Sequence, residues 1–152
     1  MPWKKGRGKL GVFDPLLGSW SAVVTDSQRP HRCTRTFRRV LNAKYIQADV
    51  HWQFEDDKDY AELCLFGPHE KSLAFWSFAS DCKHAHGTLD SASDIHPQAI
   101  VFIAQMPAGL ARQIYWPDDG DGFYWAVEAH NKSGWKRFIE HHYQAYAPAA
   151  ES

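Results

Sequence analysis

The chain has 152 residues, of which 44% are hydrophobic, 14% aromatic and 23% charged, a mixture that excludes a disordered tail, a collagen-like repeat and a coiled coil and suits one domain with a buried core. The net charge of -1 hides an asymmetry: residues 1–44 hold ten Lys or Arg against Asp14 and Asp26, giving +8, while residues 45–152 hold seven against sixteen Asp or Glu, giving -9. In one compact body such halves are expected to neutralise each other across neighbouring strands.

Residues 1–11 carry Lys4, Lys5, Arg7 and Lys9 with three glycines and read as a flexible basic tail. The domain proper is expected over 12–147, with a C-terminal tail at 148–152. Asp14 with Pro15 suggests a single short helical turn, after which the chain turns extended at Trp20. From there apolar residues recur with period two between clusters of turn residues, as in Ile46, Ala48, Val50, Trp52 and Phe54 set against Tyr45, Gln47, Asp49, His51 and Gln53. The pattern predicts about ten strands, at 19–26, 33–41, 44–54, 60–67, 72–80, 85–90, 98–106, 110–116, 122–130 and 134–146. Sequential antiparallel strands of this number twist and close rather than leave edges exposed. The fold expected is all-β: an antiparallel up-and-down barrel, with a two-sheet sandwich as its rival.

No apolar run approaches the roughly 20 residues of a membrane helix, and the basic start lacks the apolar middle of a signal peptide, so a cytoplasmic protein is expected. Cys33, Cys64 and Cys82 form no Cys-x-x-Cys pair and read as reduced thiols.

Several residues carry a resemblance. Leu17-Gly18-x-Trp20 opens the first strand, Leu41-x-x-x-Tyr45 marks the second turn, and Phe66-Gly67-x-x-x-Lys71 leads to Phe75-Trp76-x-x-x-x-Asp81. Gly87, Arg112 and Ser133-Gly134-Trp135-x-x-Phe138-x-Glu140-x-x-Tyr143 follow. In this order the set resembles a family of uncharacterised, mostly bacterial, lipocalin-like proteins of the calycin type. That resemblance implies a closed barrel with a short N-terminal plug and a central cavity, and no particular activity.

The candidate chemistry is sparse. Cys82, His84 and His86 alternate, so an extended strand would set all three on one face, but a tetrahedral site would need a fourth ligand such as His141 or His142, and the segment also reads as a solvated hairpin. No metal and no cofactor is expected. His141-His142 must point to opposite faces, and the apolar odd positions Trp135, Ile139 and Tyr143 make His141 the inward one. As a haem ligand His141 would resemble the proximal histidine of nitrobindin-like barrels; as a core residue it would be hydrogen-bonded. Arg112, if inward, would hold a ligand carboxylate by two parallel hydrogen bonds. The acidic runs Glu55 to Asp59 and Asp118 to Asp121 lack calcium-loop spacing. Arg32 and Arg38 share one strand parity while Arg29, Arg35 and Arg39 share the other, which spreads them over two faces and disfavours a phosphate-binding stripe.

No catalytic triad, phosphate loop or dinucleotide fingerprint is present. The function expected is binding of a small, largely apolar molecule, with room for one anionic group, inside the barrel. Trp52, Trp76, Arg112, Trp125, His141 and Tyr143 are the residues expected at the ligand. An enzyme of the same fold, a haem-binding barrel and an interaction protein with a filled core are the alternatives. The partner expected is a hydrophobic or amphipathic ligand, with room for a homodimer and without nucleic acid or membrane.

Overall fold

Alternating apolar and polar residues punctuated by Gly, Pro, Asn and Asp turns build ten antiparallel strands, described here from a computed structural model covering residues 3–25, 28–56, 58–91 and 94–147. They are β1 (Gly18–Val24), β2 (His31–Val40), β3 (Tyr45–Phe54), β4 (Tyr60–His69), β5 (Ser72–Ala79), β6 (His84–Asp90), β7 (Ile100–Met106), β8 (Gly109–Pro117), β9 (Phe123–Asn131) and β10 (Gly134–Ala145). Each pairs with its neighbour in sequence, and β1 pairs with β10 through Trp20↔Ala145 and Ser21↔Gln144, so the sheet is a closed up-and-down barrel. Closure removes the exposed edges that an open sheet of this size would present. Among the described residues no helix is long and apolar enough to cross a membrane.

Strict alternation along the chain puts the β1–β2, β3–β4, β5–β6, β7–β8 and β9–β10 connections at one end of the barrel. The other end is plugged. A 3-10 segment, Lys9–Leu16, buries Phe13 and Leu16 completely, with the Phe13 ring 4.7 Å from that of Phe66 and 6.3 Å from that of Phe102. The Trp20 indole donates to the Leu16 carbonyl at 2.7 Å and ties the plug to β1. This helix begins five residues before Asp14, whose carboxylate pairs with Arg39 instead of capping a turn. The stretch expected as a free tail is docked from Trp3 onward, because Trp3 and Gln98 exchange hydrogen bonds of 3.0 and 2.9 Å through the Trp3 backbone. Met1, Pro2 and the tail expected at 148–152 lie outside the described residues.

Two glycines of the sequence pattern have steric reasons. A Cβ on Gly67 would lie 2.2 Å from the Tyr45 ring, and one on Gly87 would lie 2.5 Å from the Ile103 carbonyl oxygen and 2.6 Å from the Phe75 ring. Only the missing side chain lets these rings and the next strand approach so closely.

The alternation fails at two places. In β10 the register slips between Arg137 and Ile139, a bulge at Phe138. Ile139, His141 and Tyr143 face inward as expected, while Trp135, beyond the bulge, lies opposite His130 on the outside. On β8 both faces are buried, because Ile95 and Ala99 of the β6–β7 connection cover Val101 and Ile114 from outside.

Candidate functional site

One residue decides the character of the barrel interior. Arg35 shares the inward parity of β2 with Cys33 and Phe37, and it is only 2% exposed. Its Nε donates to the Tyr143 hydroxyl at 3.2 Å and its Nη1 to the Tyr115 hydroxyl at 2.8 Å, while the guanidinium carbon lies 4.3 Å from the centre of the Trp125 ring. Nη2 is buried and has no hydrogen-bond partner. No carboxylate of the described residues lies within 4.0 Å of Arg35. A guanidinium is charged at any ordinary pH, and burying it without an anion is costly.

Tyr143 extends this arrangement into a hydrogen-bonded chain. Its hydroxyl is 3.0 Å from Cys33 Sγ and 3.0 Å from His141 Nδ1, and His141 Nε2 is 3.0 Å from His31 Nε2. His31 Nδ1 lies 2.8 Å from the Arg29 carbonyl, which can only accept, so that nitrogen carries a proton. Burial, reinforced by the Arg35 charge and by His31, pushes the His141 imidazole down to about 3. Burial likewise pushes the Cys33 thiol and the Tyr115 and Tyr143 phenols up, against the opposing pull of Arg35. Each group is thereby held in its neutral form around pH 7. Arg35 is the charge they surround.

Arg35 faces a cavity of about 440 Å³ whose walls are mainly apolar, including Phe75, Phe102, Ala104, Met106, Trp125 and Val127. Its rim carries Ala108 to Leu110 at the β7–β8 hairpin and His130 near the end of β9, which places the mouth at the unplugged end. A second cavity of about 450 Å³ adjoins it, lined by Trp52, Phe54, Tyr60 and Ile139 and by Arg29 and Lys58 at its rim. Glu62, Trp125, Val127 and Phe138 line both. Among the described residues the Trp52 indole N–H is the other buried side-chain donor without a partner.

Of the residues expected at a ligand, the barrel interior brings together Trp52, Trp125, His141 and Tyr143. Trp52 and Trp125 line cavities. His141 and Tyr143 stand behind Arg35 and orient it. Trp76 is placed elsewhere: it lies opposite Leu65 and His86 on the outer face, 6.4 Å from Tyr45. Arg112 borders the Arg35 cavity, but its guanidinium is turned outward. It pairs with Glu128 through Nε at 2.9 Å and Nη2 at 2.7 Å, reaches Asp94 at 3.1 Å and covers the Trp135 ring at 4.4 Å. Its apolar neighbours belong to the second, external layer on β8, which is why Arg112 is 5% exposed without facing the interior. Glu140 is outward too, bonded to Arg137.

Cys82 sits exposed in the β5–β6 turn at φ 69°, and His84 and His86 are exposed on the outside of β6. Among the described residues no three metal-ligating side chains converge. The residue that sequence reasoning missed is Arg35; the signal available was its position between Cys33 and Phe37 on the apolar parity of a strand. Compared with known protein families and with curated proteins, the chain matches none.

Proposed function

We propose that this protein binds a small amphipathic anion, with the anionic head on Arg35 and the apolar body in the adjoining cavity. The observation that carries the reading is the buried Arg35 Nη2, a charged donor without a partner in a mostly apolar chamber. A carboxylate would satisfy that donor and supply the missing counter-charge, and charge-assisted hydrogen bonds are the strong ones. An apolar pocket of a few hundred Å³ with a few convergent polar groups is the usual form of a small-molecule site.

Binding is favoured over catalysis because Cys33, His141 and Tyr143, the chain of groups that meets Arg35, are each pushed toward the neutral form, which leaves neither an activated thiol nor a phenolate among them. A haem bond to His141 is disfavoured, since both of its ring nitrogens are already engaged, by His31 and by Tyr143. The open chamber speaks against a core filled by its own side chains. A lipocalin-like identity is the family reading that a plugged ten-strand barrel with a cavity supports, and unpaired Cys33 and Cys64 suit the cytoplasm.

Titration with decanoate, followed by tryptophan fluorescence and calorimetry, tests the proposal. Trp52 and Trp125 should report saturable binding in the native protein. Arg35→Met should weaken decanoate by about 10- to 100-fold and leave neutral decanol little changed. Equal losses for both compounds, or no saturable signal from the native protein, would remove the reading.

A further inference from the structure

The cavity holds a second charge that an apolar anion leaves unused. Glu62 has the inward parity of β4, together with Cys64 and Phe66, and lines both cavities. It is the only carboxylate among the described residues lining the Arg35 cavity. Its negative charge contributes to the raised Tyr60, Cys33, Cys64 and Tyr115 values after the larger effect of burial, which places the carboxylate in electrical contact with the interior. Glu62 stands near the Tyr60 hydroxyl, whose proton its charge helps to hold after the larger effect of burial, and no Lys, Arg or His nitrogen of the described residues lies within 4.0 Å of its carboxylate. A carboxylate offers about four acceptor positions, so several are left to whatever fills the chamber.

The register fixes where this acceptor stands relative to Arg35. Val50 of β3 lies opposite Arg35 on one side and opposite Glu62 on the other, so the two charged residues start from the same rung of the barrel, two strand spacings or about 10 Å apart. They confront one section of the chamber without pairing, because Tyr115, Tyr143 and Trp125 hold the guanidinium away.

We infer, on the basis of the anion site at Arg35, that Glu62 is a specificity-determining residue, and that the preferred ligand carries a hydrogen-bond donor, a hydroxyl or an ammonium, within a few bonds of its anionic head. Such a ligand donates to Glu62 while its carboxylate accepts from Arg35. A plain alkanoate strips water from Glu62 and returns nothing, and a site with a polar group left unpaired rejects the analogue that lacks the matching one.

The probes are decanoate, 2-hydroxydecanoate and 3-hydroxydecanoate, titrated into the native protein and into Glu62→Leu, Glu62→Gln and Arg35→Met, with far-ultraviolet circular dichroism as a check on folding. The native protein should bind at least one hydroxy acid 10-fold or more tighter than decanoate. Glu62→Leu should tighten decanoate and abolish that preference, and Glu62→Gln, the conservative variant in case Leu disturbs the fold, should reduce it. Equal affinities of the native protein for all three acids, or a preference that survives both Glu62 substitutions, overturns the role of Glu62 while leaving Arg35 as the anion site. Acid binding unchanged in Arg35→Met overturns the anion site itself.

Discussion

Arg35→Met should leave the ligand-free protein as stable as before, or more stable, although it deletes two hydrogen bonds and a ring contact from the core. The retained arginine gains two charge-assisted bonds of about 1.5–3 kcal/mol each and a cation–π contact of up to about 2 kcal/mol with Trp125. Against these stands the desolvation of a full positive charge, several kcal/mol or more for an ion with no partner of opposite sign. Methionine fills similar space without that cost. It also orphans neither hydroxyl, because Tyr115 keeps Gln113 at 3.3 Å and Tyr143 keeps His141 and Cys33 at 3.0 Å.

The balance predicts a change between zero and about 3 kcal/mol in favour of the variant, in line with the replacement of buried ionic groups by apolar ones of similar volume. For 152 residues that corresponds to a rise in Tm of up to about 10 °C. Thermal unfolding of the ligand-free proteins, checked by native mass spectrometry for co-purified molecules, reads it directly. Decanoate should then raise the Tm of the native protein and not that of the variant. A ligand-free variant that melts more than about 5 °C below the native protein would show that Arg35 is a structural keystone, and would refute the view that the fold bears its charge for the sake of a ligand.

The outer face holds an ion network with the opposite expectation. Glu128, 5% exposed, accepts from both Arg112 and Arg137, so Glu128→Gln strands the buried Arg112 with only the exposed Asp94 and should cost about 3–5 kcal/mol in chemical denaturation; the double change with Arg112→Met should recover more than half, and a double variant no better than the single would contradict the pairing. His141 falls from 6.5 in the unfolded chain to about 3 in the fold. The folded state therefore refuses a proton that the unfolded state accepts: no stability is lost above pH 6.5, and stability declines as pH falls from there toward 3, by up to about 1.4 kcal/mol per unit. His141→Gln should flatten the Tm profile between about pH 6 and 4, and superimposable profiles would exclude His141 as the group refusing the proton.

Period two and turn chemistry, both local, were enough to set all ten strands and their antiparallel succession, whereas the choice of a closed barrel over a two-sheet sandwich rested on the pairing of β1 with β10. The same local pattern turned Trp52, Trp125, His141 and Tyr143 inward, since each stands on a strand with one apolar and one polar parity. Where a strand is covered on both faces the alternation carries no information, and Arg112 on β8 reads equally well either way until the β6–β7 connection is seen folded over Ile114. A single bulged residue, Phe138, moves Trp135 to the outside, because one extra residue exchanges the faces of everything beyond it. The character of the site was decided by closure alone. Tyr115 and Tyr143 stand 80 and 108 residues from Arg35, and Glu62 reaches the same rung only through β3. Parity is a property of neighbours and can be read along the chain, whereas the counter-charge a buried cation lacks is a property of its surroundings, which do not exist until the barrel closes.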